Sequence, residues 1–356
     1  MNDMVYEYAS GNHQRVGGAE RQQWILSRAL VSIGWSVTIG VRHIFPAGEQ
    51  VVIDGVKFVG IGRGPFLWAC YRFLMAERPD WWYWRAAEHW WGPAVQIAKL
   101  SNVRTIYAVA YDTDVSPRHA LARRSRLWPL YAWGLRCSDR IFVQHGGQFS
   151  RLAPQLQTRA FIVPSFAGEM PISFSHGERR KYVAWVAVLR RPKRADLLIE
   201  IARKIPSVQF VVCGGLTSHR SSMEYGQKIV DGLRALPNVE FLGKVDPKKA
   251  QQVIAEAAVF LSTSDEEGFP NTFLEAWGSG TPVVSLKIDP DGIIHQKGLG
   301  RVSGTIEQAS RDIDALIADP KLRNDIASRA KEYVAQRHSI QAVTKIFLEA
   351  VSDENR

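Results

Sequence analysis

The segment Ser264–Ser285, SDEEGFPNTFLEAWGSGTPVVS, places Glu267 and Glu275 with seven residues between them, across a loop bearing Gly268 and Pro270 that runs into a short helix. Such a loop brings backbone amides close to a ligand, and the helix start offers N–H groups and a positive dipole end suited to phosphate. Glu267 falls in the loop and Glu275 about one turn into the helix, so the two carboxylates reach different hydroxyls of one bound molecule. A structural alternative exists for the second: Thr272-Phe273-Leu274-Glu275 fits a capping box, in which Glu275 accepts from the backbone of its own helix start. Capping leaves Glu267, the Gly-Phe-Pro loop and the restart into Val283-Val284-Ser285 unexplained. The segment reads as a sugar-nucleotide site.

Outward from it, short apolar runs alternate with amphipathic stretches, the pattern of parallel strands covered by helices. In the second half, strands are expected at Tyr182–Val188, Gln209–Cys213, Val239–Leu242, Val259–Ser262 and Val283–Leu286. In the first half they are expected at Val37–Val41, Trp81–Trp84, Arg104–Ala108 and Arg140–Val143, with helices over Gly18–Gly34, Pro93–Leu100 and Arg118–Leu135. A loop-like break at Val163–Gly168, followed by Met170-Pro171, divides the chain into domains 1–168 and 169–338, and residues 339–356 form a terminal helix. The fold class is α/β: two Rossmann-like, doubly wound domains that bind ligands at the C-terminal ends of their strands. Arg190 and Lys193 follow such a strand and suit a diphosphate. Their neighbours Arg191 and Arg194 also allow a solvated basic loop.

A chain of 356 residues suits two domains, and 46% hydrophobic with 22% charged residues is a globular composition. No apolar run approaches the ~18 residues of a membrane span, and no signal-peptide pattern opens the sequence, so action in the cytoplasm is expected. Cys70, Cys137 and Cys213 lack metal-ligand spacing and read as reduced and structural. The net charge of +10 is uneven: nineteen Lys and Arg face eleven Asp and Glu through Gly168, against twenty-six and twenty-four beyond it. No nucleic-acid-binding motif accompanies the excess. An anionic membrane surface or a phosphorylated lipid acceptor explains it as well.

The Glu267–Glu275 pair, its Gly-Phe-Pro loop and Gly280-Thr281-Pro282-Val283-Val284 resemble the retaining, two-domain glycosyltransferases of family 4 (GT4), which have the GT-B fold. Gly17-Gly18-Ala19-Glu20-Arg21, Leu189–Arg194 and Asn238–Gly243 extend the likeness over nearly the whole chain. The resemblance implies a nucleoside-diphosphate sugar as donor, no cofactor or metal, a glycan or lipid-linked acceptor on the first domain, and a cleft between the domains. It gives Glu275 the ribose, Glu267 the donor sugar, and Lys193 with Arg190 the diphosphate. Phe269, Pro270, Asn271 and Thr272 supply backbone contacts, while Gly17 and Gly18 let the first domain approach the donor phosphate. The terminal helix often packs back on the first domain in this family.

Three departures stand out. The family's arginine five residues before the lysine is Val188 here, with Arg190 as the substitute. The family's apolar first strand corresponds only to Met4–Tyr8, so that strand is short and polar or lies before residue 1. The family's histidine after the third strand is replaced around Tyr111 and Asp112; Asp112 and Asp114 either orient an acceptor hydroxyl or cap the next segment, and His145 is the alternative histidine. Asp289-Pro290-Asp291-Gly292, beside the inferred donor site, reads equally as a plain turn or as a substrate contact. Arg85 follows the aromatic strand as a candidate ligand residue, and Arg118–Trp128 is a basic amphipathic stretch that reads equally as a membrane-surface segment, peripheral to the cytoplasm, or as an exposed basic helix. The expected activity is sugar transfer in cell-envelope or extracellular polysaccharide assembly. The alternative is a catalytically inactive sugar-nucleotide-binding partner of a membrane assembly. A glycosidase needs no phosphate clamp.

Overall fold

The computed structural model describes residues 2–12, 17–121, 125–168, 181–216 and 220–352. The chain divides into two compact units, Met1–Phe166 with Ile340–Arg356, and Ala167–Ser339. Met170-Pro171 lies outside the described residues.

Unit 1 runs α1 (Asp3–Ala9), α2 (Gly18–Ser32), β1 (Thr38–Val41), β2 (Gln50–Ile53), β3 (Val56–Gly60), α3 (Phe66–Glu77), β4 (Trp81–Arg85), α4 (Trp91–Leu100), β5 (Arg104–Ala108), α5 (Pro117–Ala120), α6 (Trp128–Cys137), β6 (Arg140–Val143), α7 (Gly146–Arg151), α8 (Pro154–Gln157) and β7 (Ala160–Ile162). Strands β4-β5-β6-β7 form a wholly parallel sheet, and β1-β3-β2 a second one with an antiparallel β2–β3 hairpin. Asp54 and Gly55, both at positive φ, make its tight turn.

Two expectations fail here. Met4–Tyr8 is helical: the Asn2 side chain caps the Met4 N–H, Asp3 favours the first turn, and Val5 is the residue that α1 buries. The single helix over Arg118–Leu135 is instead α5, a 3₁₀ turn at Ser125–Leu127 and α6, with residues 122–124 outside the described set. Pro129 has no N–H to give and fits only a first turn, so a new helix begins at Trp128. Arg118 and Arg126 thereby fall in separate elements.

Unit 2 runs β8 (Tyr182–Val186), α9 (Ala195–Lys204), β9 (Gln209–Cys213), α10 (Arg220–Arg234), β10 (Val239–Gly243), α11 (Pro247–Glu256), β11 (Val259–Ser262), α12 (Asn271–Ser279), β12 (Val283–Ser285), α13 (Ile293–Lys297), β13 (Gly300–Val302), α14 (Ile306–Ala318) and α15 (Pro320–Arg337). Its six strands are all parallel in the order β10-β9-β8-β11-β12-β13. That is the doubly wound 3-2-1-4-5-6 order, with its topological switch between β8 and β11. Helices cover both faces, so β11 and β12 are buried throughout. The last helix, α16 (Ile340–Val351), returns to unit 1, where Val343, Phe347 and Ala350 pack with Leu26, Ile106 and Phe142.

Candidate active site

The loops leaving β8 and β11 carry Lys193 and Glu267, which meet although 74 positions separate them: Lys193 Nζ donates to Glu267 Oε1. The two side chains are only 15% and 12% exposed. Further hydrogen bonds hold this junction. Trp185 Nε1 donates to Thr263 Oγ1 (2.9 Å), which donates to the Lys193 carbonyl (2.7 Å), and the Asp265 N–H donates to the Pro192 carbonyl (2.9 Å). Arg194, at a left-handed φ of 50° just before α9, donates to Asp265 (3.1 Å) and grips both Asp196 oxygens. Burial raises the Asp196 carboxyl, but hydrogen bonds from Arg194 and Tyr225 outweigh it and hold the group below its ordinary range.

Gly268, Phe269 and Pro270 are buried, and Pro270, which has no side-chain acceptor to offer as N-cap, leads directly into α12. Thr272 is the second residue of the helix, not its cap, so the capping-box reading of Thr272–Glu275 fails: the fixed φ of Pro270 starts the helix two residues early. Asn271, Thr272 and Glu275 are half-buried. Phe269 packs on the His338 ring at 4.8 Å and on Trp277 at 6.3 Å, which anchors the loop to the helix behind it. The helix ends at Gly280, whose φ of 78° is costly for any residue with a Cβ and whose Cβ would lie 2.7 Å from Lys331 Cε. Arg190 is half-buried where the Lys193 turn begins, and Val188 is 46% exposed. Asp289 is a local cap, with Oδ1 accepting from Ile294 at 2.8 Å.

The remaining expected residues belong to unit 1. Gly17 precedes α2, and its N–H donates to the Glu20 carboxylate at 2.9 Å; its φ of −125° makes no demand for glycine. Gly18 begins the helix. Asp112, just past β5, pairs with His145 Nε2 at 3.0 Å and accepts from Gln148 (3.0 Å) and Arg151 (2.7 Å). Burial raises its carboxyl, and these partners more than reverse the effect, so the pKa lies below the ordinary value. The replaced histidine position and His145 are thus one cluster, and Gln148 and Arg151 join it as the next turns of α7. Reading His145 alone concealed this; the successive i, i+3 steps from His145 to Gln148 and from Gln148 to Arg151 were the available signal.

Asp114 acts structurally, accepting from the Ala110 and Tyr111 N–H groups at 2.8 and 3.1 Å. Burial dominates these bonds and pushes its carboxyl up to about 6. Between pH ~4 and ~6 the folded protein keeps this proton while the unfolded chain loses it, so stability falls as pH rises through that window, by about 2–3 kcal/mol in all. Urea titrations across pH are expected to show that fall in the parent and its loss in Asp114→Asn. Asp112 works in the opposite sense: its contribution is present above the unfolded pKa and is lost as acid protonates the folded group.

Residues 169–333 match the family model "Glycosyl transferases group 1". The lipopolysaccharide core biosynthesis glycosyltransferase LpsE of Rhizobium meliloti (strain 1021) is 29% identical over 160 residues, which cover 44% of this chain and 45% of that protein. The chain spans about half the length of the curated relatives it matches. Among solved structures, sucrose-phosphate synthase from Thermosynechococcus elongatus superposes with a TM-score of 0.74 at 16% identity, covering 94% of this chain and 92% of the other. HepE of Anabaena, in complex with UDP and glucose, gives 0.73 at 16% identity over 94% and 96%. The likeness extends through both units, so the fold is GT-B, and the residues that match the glycosyl transferases group 1 model include Lys193, Glu267 and Glu275.

Proposed function

We propose that the chain is a retaining, metal-independent glycosyltransferase of family 4 (GT4), moving a sugar from a nucleoside-diphosphate donor to a glycan or lipid-linked acceptor in envelope or extracellular polysaccharide assembly. The observation that carries this reading is the meeting of Lys193 and Glu267 at the switch point of a 3-2-1-4-5-6 sheet. Ligands of doubly wound sheets bind there. Without donor, the two charges satisfy each other. An incoming diphosphate offers the ammonium a more highly charged partner and releases Glu267 to accept from sugar hydroxyls. As the glycosidic bond breaks, negative charge grows on the departing diphosphate, and Lys193 with the start of α12 stabilises it more than the ground state. Glu275 takes the ribose, and the Gly268–Thr272 backbone lines the path between the two glutamates. The names of the relatives supply support for donor and acceptor classes: one solved neighbour holds UDP and glucose, and LpsE acts in lipopolysaccharide core synthesis. The basic excess before residue 168 suits an acceptor presented at an anionic membrane.

A thermal-shift panel of UDP, GDP, ADP and their sugars tests the donor class. A matching nucleotide at a hundredfold excess over its Kd is expected to stabilise the protein by about 3 kcal/mol, unchanged by EDTA. No shift with any member overturns the reading. Binding without donor hydrolysis or transfer identifies a sugar-nucleotide-binding partner instead.

A further inference from the structure

Unit 1 contains a narrow pocket at the C-terminal edge of its parallel sheet, on the side covered by α2 and α16, lined among others by Gln22, Tyr83, Arg85, Gln144, Phe166 and Phe347. The Lys193–Glu267 pair belongs to unit 2. The polar amides in its wall are engaged: Gln22 exchanges two 2.7 Å bonds with the Phe166 backbone, and Gln144 donates to Ser165 at 2.9 Å. Arg85, the last residue of β4, is different. Its Nη1 donates to Tyr83 Oη at 3.1 Å, its Nε is buried with no hydrogen-bond partner, and no carboxylate among the described residues forms an ion pair with it. Asp114 feels its field but spends an oxygen on two backbone N–H groups. The next residue, Ala86, stands at a φ of 73°, a strained conformation for a residue with a Cβ.

A half-buried guanidinium with an unmet donor and no ion pair among the described residues is costly unless something completes it. Its planar fork matches a carboxylate or a phosphate. Parallel strand ends are where such sheets hold ligands, and this unit carries the chain's basic excess. We infer that Arg85 and Tyr83 form an anion subsite in unit 1, which takes the carboxylate or phosphate group of an acidic acceptor. That the anion belongs to an acceptor rests on the transferase reading; the subsite itself does not.

The test uses the full chain carrying Lys193→Ala, which keeps phosphate from the ammonium in unit 2, and follows tryptophan fluorescence, since Trp82 and Trp84 share β4 with Arg85. Titration with inorganic phosphate and, separately, with acetate is expected to give saturable binding for at least one. Phosphate alone indicates a phosphorylated acceptor, and acetate alone a uronic or other carboxylated one. Adding Arg85→Gln is expected to weaken that binding about tenfold or more, and Arg85→Lys less. Should Arg85→Gln unfold by circular dichroism, Tyr83→Phe carries the test, with an expected loss of about threefold. Absence of saturable binding, or equal affinity in the folded variant, overturns the inference. Failure of the transferase reading appears elsewhere, in the nucleotide panel with the parent protein.

Discussion

Replacing Lys193 with alanine is expected to lower kcat/KM for sugar transfer by about 10²–10³-fold, the range found when one preorganised charge is removed from a developing anion. Glu267→Ala is expected to fall comparably, with a larger share in kcat, because its hydroxyl contacts orient the donor sugar for reaction. The confounding effect is stability. Each single variant strands the other partner's charge in a site only 12–15% exposed. Stranding a fully buried charge costs about 3–5 kcal/mol, and the residual exposure here places the cost toward or below the lower end. The double variant Lys193→Ala/Glu267→Ala separates the two effects. It strands nothing, so its urea midpoint is expected to recover most of the loss while activity stays absent. Full activity in folded Glu267→Ala, or activity restored in the double variant, would contradict the donor role.

The junction shows where sequence reading reaches its limit. Lys193 and Glu267 each stand out beside an apolar run, but their meeting depends on β8 and β11 being adjacent while β9 and β10 lie on the far side. No periodicity encodes strand order. The strands themselves were legible because unit 2 buries them on both faces: Phe210–Cys213 and Val259–Leu261 are unbroken apolar runs, and β9 and β11 fold over them. Unit 1 was harder. The β2–β3 hairpin is half exposed, and its decisive signal was Asp54-Gly55, a two-residue turn between alternating apolar positions. Met4–Tyr8 carries the Val and Tyr residues that favour strands, yet a local cap at Asn2 decided for helix. Arg194 reads as one member of a basic run, whereas its bonds to Asp196 and Asp265 make it the brace of the Lys193 turn. Asp196, two residues on, was the nearby clue.

Trp277→Ala is expected to cost about 3–5 kcal/mol of unfolding free energy, the largest loss from any single site-proximal change. The indole is fully buried in the second-unit core, against Phe269, Phe273 and Tyr333, and its Nε1 donates to the Leu299 carbonyl at 3.0 Å. Truncation therefore removes a large transfer term, opens a cavity that close-packed neighbours refill only in part, and leaves a buried carbonyl unmatched. The consequence for the site follows from which neighbour loosens. Phe269 is held between Trp277 and His338, and the next two residues, Pro270 and Asn271, aim the start of α12. Urea denaturation with nucleotide titration on the remaining folded protein is expected to show both the stability loss and weaker donor binding. Trp277→Phe refills most of the volume and loses the Leu299 bond, so it is expected to cost only about 1–3 kcal/mol and to keep the affinity. Equal affinity in Trp277→Ala and the parent would mean that the Gly268–Asn271 loop holds its geometry without the indole behind it.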